Sequence, residues 1–337
     1  MGIIGDWLAG QGAERTSGTL RVGSMASGAP LAVPWLAVRG ARPGRTLWLH
    51  GQVHGDEING IVASLRFFHG LDPQAMSGNV VVTPTGNPQA LDARRKRNPY
   101  DELDLDQSYP GSASGLVSER LAHAMFKEMR GVASAVVSLH TMNPLFDAPP
   151  YAVYKVHPDS AITEADVLGA VAHFRPALAC RQDVSGKGEL PGNIAGALDY
   201  QCLAAGICAF MVELGRGNAL QPENVAAAES GFRGLAQHLG ILEGPTRATG
   251  VALRTVSRRG WITADEGGMF VPRTRAGALV RAGESIGEVY GLDGSVTPVA
   301  PFTRDGILIG LRADPVVHTG ERLAFVAWEW ADRPPVA

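Results

Sequence analysis

Residues 46–60 constrain this chain more than any other stretch. They read Thr-Leu-Trp-Leu-His-Gly-Gln-Val-His-Gly-Asp-Glu-Ile-Asn-Gly. The apolar run Leu47-Trp48-Leu49 predicts a buried strand, Gly51 and Gly55 interrupt the pattern, and 58–68 has the apolar spacing of a helix. His54 and Glu57 lie in the interruption. An imidazole and a carboxylate are therefore expected side by side at the C-terminal end of a strand, the edge where open α/β sheets bind ligands. Together they form half of a His2Glu metal site, which needs one more His and keeps one position open for water. The plain structural alternative is a Glu57 that complements the dipole at a helix N-terminus.

The rest of the chain supplies candidates for the other half. Strands are expected at 19–23 and 31–39 as a hairpin, then at 46–50 and 79–84 on either side of the helix. This strand–helix–strand spacing predicts a mainly parallel sheet. A long loop is expected over 85–111, with the basic cluster Arg94-Arg95-Lys96-Arg97 placed to hold an anionic group. A helix at 118–129 leads to a strand at 135–139 that ends on His140, and a short strand at 152–156 and a helix at 161–174 follow. A Gly-rich segment covers 186–196, a helix 196–205, and a strand at 207–212 carries Glu213 at its end. The last long helix spans 222–239. From 246 onward helical periodicity stops and short alternating runs appear at 250–256, 268–271, 285–289, 306–311 and 322–327. This predicts a catalytic domain over 1–245 and a small all-β barrel or sandwich over 246–337. The expected fold class is α/β, a mixed sheet flanked by helices with a β-rich C-terminal domain.

Composition excludes several function classes. Net charge is −3, so no global basic field points to nucleic acid. No apolar run approaches the roughly 20 residues that span a bilayer, and the first residues have no signal-peptide pattern. Cys180, Cys202 and Cys208 form no C-x-x-C pair and read as reduced core thiols, which fits the cytoplasm. No lysine follows Lys187, so the β-rich tail is not a lipoyl or biotinyl carrier. His50, His123 and His173 read as packing or surface histidines. No repeat or coiled-coil pattern sets an oligomeric state, and a homo-oligomer stays open.

Chemically, His54, Glu57 and His140 offer two imidazoles and one carboxylate for Zn2+, one per chain. Zinc there would acidify a water toward a pKa of roughly 7 and polarise a carbonyl. Glu213 is then the candidate general base, and Arg97 or a neighbour the stabiliser of a developing oxyanion. This describes hydrolysis of an amide.

These residues resemble the succinylglutamate desuccinylase/aspartoacylase family, which is related to the zinc carboxypeptidases. The matching pieces are His54-Gly-Asp-Glu-Ile-Asn-Gly60, Asn87-Pro-Gln-Ala90, Asp104-Leu105 with Tyr109-Pro-Gly111, Ser138-Leu-His-Thr141 and Val212-Glu-Leu-Gly215. The resemblance implies zinc ligands at His54, Glu57 and His140, a catalytic Glu213, and removal of an acyl group from the nitrogen of a small amino compound. Three departures qualify it. The family's Asp-Leu-Asn-Arg is here Asp104-Leu105-Asp106-Gln107, and Gln cannot grip a carboxylate in a bidentate fork. The substrate portion is therefore expected to be neutral or cationic, unless Arg94, Arg95 or Arg216 replaces the missing Arg. The family's oxyanion Arg falls on Lys96, or on Arg97 with a one-residue shift. Ser138 stands where many relatives carry Asp. Arg94, Lys96, Asp106 and Gln107 are thus the candidate substrate-binding residues. The alternatives are a carboxypeptidase-like peptidase and a non-catalytic small-molecule binding protein.

Overall fold

A computed structural model of the chain describes residues 2–185, 192–245 and 252–334. At its centre four strands run parallel in the order Ser77–Thr83, Arg42–Gly51, Ala135–Met142, Cys208–Arg216. All eight residues of Ala135–Met142 are buried, as near-continuous apolar strands require when both faces are covered. Alternation then sends successive residues to opposite faces. Leu47, Leu49, Val80, Val82, Val137 and Phe210 pack beneath the helices Asn59–His69, Glu164–Ala172 and Pro222–His238. Trp48, Val81, Val136 and Ala209 face the helices Val117–Val132 and Leu198–Ala204. Gly60 allows the first of these helices to sit close, since a Cβ there would lie 2.6 Å from the Leu139 Cβ.

The sheet is mixed rather than mainly parallel, because antiparallel pairs extend both flanks. On one side the hairpin Glu14–Ser24/Pro30–Arg39 joins Ser77–Thr83. On the other, Tyr151–Tyr154 runs antiparallel to Cys208–Arg216, and Ala179–Arg181 follows it in parallel. The C-terminal strands continue from there. Leu253–Thr263 pairs with Ala179–Arg181, and Arg322–Arg333, Gly306–Arg312 and Leu279–Val280 extend the same sheet. A separate antiparallel sheet holds Gly268–Pro272, Gly287–Tyr290, Val296–Pro298 and Val316–Val317.

Local differences from the sequence reading have physical causes. The expected loop at 85–111 contains the helix Pro88–Ala93, whose Asn87 side chain accepts from the Ala90 N–H with Pro88 in the first turn. Asn then Pro is a helix-start signal. The strand expected to stop before Glu213 runs on to Arg216, with Glu213 opposite His140 in register. Positions 186–191 of the Gly-rich segment, and positions 250 and 251 of the expected 250–256 strand, lie outside the described residues. No helix among the described residues is long and apolar enough to cross a membrane.

Candidate active site

The loop after Arg42–Gly51 is held by a close contact that only glycine permits. A Cβ on Gly55 would fall 1.8 Å from the Ala90 carbonyl oxygen, and the Gly55 N–H donates to the Arg95 carbonyl at 2.8 Å. The turn therefore lies directly on the Pro88–Ala93 helix, and His54 and Glu57 are fixed beneath it. His140 arrives from the end of its buried strand. One ligand atom from each of the three residues lies within 4.8 Å of the others, and all three residues are buried.

Glu57 bridges the two imidazoles. Its Oε1 is 2.7 Å from His54 Nδ1, and its Oε2 is 3.0 Å from His140 Nδ1. Both Nδ1 atoms thus point inward with the carboxylate. The outer Nε2 atoms have their own partners, Asp104 Oδ1 at 2.9 Å from His54 and Ser138 Oγ at 3.0 Å from His140. Asp104 is itself held by Lys96 Nζ at 3.3 Å. An acceptor behind each ligating histidine fixes its tautomer and raises its basicity. This donor set and its outer hydrogen bonds fit a divalent cation of the zinc kind, and Ser138 occupies the anchoring position behind His140. Burial alone would raise the Glu57 carboxyl, but His54 and His140 bring it down to about 2. Asp104, which burial would likewise raise, is held well below the carboxylate range by His54 and Lys96.

These groups open onto a cavity of about 570 Å³. Glu213 lines it opposite His140. Its Oε2 is buried without a hydrogen-bond partner among the described residues. Burial and the negative charge of Glu57 push its carboxyl up to about 7. Such a group can take up and release a proton near neutrality.

The remaining candidates separate by position. Lys96, Arg97, Asp106 and Gln107 line the cavity. Arg97 also reaches the Glu102 carbonyl at 3.4 Å. The Asp106 Oδ1 is buried without a partner among the described residues, and burial raises its carboxyl above the ordinary value. The Gln107 Oε1 accepts the Asn193 N–H at 3.1 Å. Arg94 is exposed in the left-handed turn that ends the Pro88–Ala93 helix and is not among the cavity-lining residues. Arg95 is bound to Glu102, and Arg216 pairs with Asp147 at 3.3 Å.

Two groups were missed. Lys155 Nζ donates to both Asp199 oxygens at 2.8 Å, both side chains being fully buried, and Lys155 lines the cavity. A lysine directly after the apolar run Tyr151–Tyr154 was the available signal. The C-terminal strands add Arg259, Trp261 and Arg322 as a further wall, for which strand alternation gave no signal.

His50 lies under the site and does not line the cavity. Its ring contacts Thr83 Oγ1 at 2.6 Å and the Tyr109 hydroxyl at 3.1 Å. Burial, aided by His140, lowers its pKa from 6.5 to about 3. The unfolded chain therefore binds a proton there below 6.5 that the folded chain refuses. Stability is fully present above that pH and is lost as pH falls toward 3. We expect unfolding by urea at pH 5 to show a His50 contribution of about 2 kcal/mol relative to pH 7. The loss between these two pH values should shrink by that amount in His50→Gln. An unchanged slope in the variant would refute the assignment. His173 caps the Glu164–Ala172 helix 4.8 Å from the His238 ring, and His123 lies on the Val117–Val132 helix.

Comparison with known proteins gives the family and the fold. The family model described as the succinylglutamate desuccinylase/aspartoacylase catalytic domain matches residues 43–239. The N-alpha-acetyl-L-2,4-diaminobutyric acid deacetylase of Halomonas elongata is 27% identical over 289 residues, 84% of this chain and 82% of that protein. The crystal structure of a succinylglutamate desuccinylase/aspartoacylase from Rhodobacter sphaeroides shares the fold with a TM-score of 0.82 at 24% identity, covering 96% of this chain and 97% of that one. The product-bound ectoine utilization protein EutE (DoeB) from Ruegeria pomeroyi aligns with a TM-score of 0.81 at 24% identity, covering 95% and 96%. The family match spans more than half of the sequence and contains His54, Glu57, His140 and Glu213, and the chain belongs to the succinylglutamate desuccinylase/aspartoacylase family.

Proposed function

We propose that the chain is a zinc-dependent amidohydrolase that removes an acyl group from the nitrogen of a small amino compound, acting in the cytoplasm with one zinc per chain. The observation that carries this reading is the opening of the His54, Glu57 and His140 donor set onto the same cavity as Glu213. His54 Nδ1, Glu57 and His140 Nδ1 would hold the cation, and Asp104 and Ser138 would orient the two rings. When bound, the cation supplies Lewis acidity to the amide carbonyl and the attacking water. Glu213 takes the water's proton on its free Oε2 as the hydroxyl adds to the carbonyl carbon. It returns that proton to the amide nitrogen as the C–N bond breaks. Arg97, at the cavity, offers its guanidinium to the carbonyl oxygen as charge collects there. Cys180, Cys202 and Cys208 form no disulfide, in keeping with a reducing compartment.

The cavity volume suits a small molecule, and the Trp261 and Arg322 wall supports small substrates over extended peptides. The Halomonas elongata relative is named for deacetylation of N-alpha-acetyl-L-2,4-diaminobutyric acid, so N-acetyl diamino acids head the substrate panel, with N-acyl amino acids and short peptides behind them. The test is metal analysis of the purified protein together with that panel. The expected result is about one zinc per chain, activity lost on chelation and restored by added zinc, and turnover of N-acyl amino compounds over peptides. No metal uptake on supplementation together with no turnover would overturn the reading.

A further inference from the structure

We propose that Asp106 selects substrates whose amino portion carries a second, positively charged nitrogen. The inference rests on the deacylase reading of the same cavity and assigns the residue that would recognise the second nitrogen of a diamino substrate. Asp106 lines the cavity, and its Oδ1 is buried with no hydrogen-bond partner among the described residues. A buried carboxylate oxygen facing an aqueous cavity is costly unless a donor comes to meet it.

The lysines and Arg97 that line the cavity have other partners, Arg97 donating to the Glu102 carbonyl at 3.4 Å. Lys96 is bound to Asp104. Lys155 gives its ammonium to both oxygens of Asp199. Of the other carboxylates at the cavity, Asp104 holds His54 and Glu57 spans both imidazoles, while Glu213, whose Oε2 is also unpartnered among the described residues, is taken by its role as base. Gln107 turns its side-chain oxygen to the Asn193 N–H. Asp106 Oδ1 lies 4.0 Å from His140 Nε2, beyond hydrogen-bond reach, so it presents to the cavity a carboxylate oxygen that no group among the described residues hydrogen-bonds. An ammonium on the substrate fills that place, and a methyl of the same size leaves the oxygen desolvated and unpaired. A substrate carboxylate there meets like charge.

N-α-acetyl-L-ornithine and N-acetyl-L-norleucine differ by an ammonium in place of a methyl and form the test pair. Wild type is expected to favour the ornithine compound in kcat/KM by about 10- to 100-fold. In Asp106→Asn that ratio falls to within about three-fold of one. Calorimetric binding of the free amines L-ornithine and L-norleucine gives the same comparison without turnover. The ornithine preference in Kd should be present in wild type and lost in Asp106→Asn. The proposal is overturned if wild type treats the pair alike in binding. It is equally overturned if the preference persists in Asp106→Asn. If neither acetyl compound is hydrolysed while the Asp106-dependent binding preference holds, the deacylase reading fails and the Asp106 assignment stands.

Discussion

Glu213→Gln is expected to lower kcat by about 10³-fold, equivalent to about 4 kcal/mol of lost transition-state stabilisation, with KM little changed and zinc retained. The amide is nearly isosteric with the carboxyl, so the strand that places Glu213 opposite His140 keeps its packing. What disappears is a proton acceptor on a cavity carboxylate whose Oε2 has no hydrogen-bond partner among the described residues. Metal content separates this effect from damage to the donor set, because Glu213 is not among the three converging ligands. A second readout comes from stability. The Glu213 carboxyl is raised from 4.5 to about 7 by burial and by Glu57, so in the metal-free fold its charged form is unfavourable. A folded pKa above the unfolded one means that stability falls as pH rises from 4.5 through 7. Gln carries no charge to bury, so metal-free Glu213→Gln should unfold at a higher temperature than wild type at pH 8. Loss of less than about ten-fold in kcat, or loss of zinc along with the activity, would remove Glu213 from the role of base.

This behaviour depends on an arrangement that was partly legible in the sequence. The central strands were readable because each is a short run apolar on both faces, and Leu47-Trp48-Leu49 and Ala135–Met142 are buried throughout. His54, Glu57 and His140 could be expected near one another because two strands of one parallel sheet end there, and adjacent parallel strands put their C-terminal ends at one edge. The bridging of both rings by Glu57 could not be read, since nothing in the spacing tells which ring nitrogen turns inward. The Pro88–Ala93 helix was legible and overlooked, because Asn87-Pro88 marks a helix start inside a segment whose charge run suggested a loop. The C-terminal wall was not legible. Alternation distinguishes the two faces of a strand such as Leu253–Thr263 but not which face looks into the cavity, and that is decided by its pairing with Ala179–Arg181, too short a strand for periodicity to reveal. The Lys155–Asp199 contact joins residues 44 apart, beyond the reach of any local pattern.

That buried pair should govern stability as strongly as Glu213 is expected to govern turnover. Lys155 follows the strand Tyr151–Tyr154, and Asp199 lies in the first turn of the helix Leu198–Ala204. The contact fixes that helix to the sheet beside the Leu105–Gln107 turn, whose Gln107 is bonded to Asn193 just upstream of the helix. Asp199 Oδ1 also accepts the Tyr200 N–H at 2.8 Å, and this single backbone donor cannot balance a carboxylate at 0% exposure. Lys155→Met keeps the length and apolar stem of the side chain and removes only the charge. The expected cost is about 3–5 kcal/mol of unfolding free energy in urea, because an uncompensated buried charge remains. The double variant Lys155→Met/Asp199→Leu removes both charges and should recover to within about 1–2 kcal/mol of wild type, since a buried ion pair gains little over apolar groups of similar volume. Zinc must be held saturating or absent throughout, because a bound metal adds its own linkage to the folded state. A single variant within about 1 kcal/mol of wild type would mean that Asp199 protonates or finds water when Lys155 is gone. A double variant as unstable as the single one would mean that the pair supplies packing which Met and Leu do not reproduce. A large single effect largely reversed in the double would show that Lys155 is spent on Asp199 and gives no hydrogen bond to Asp106 at the same cavity.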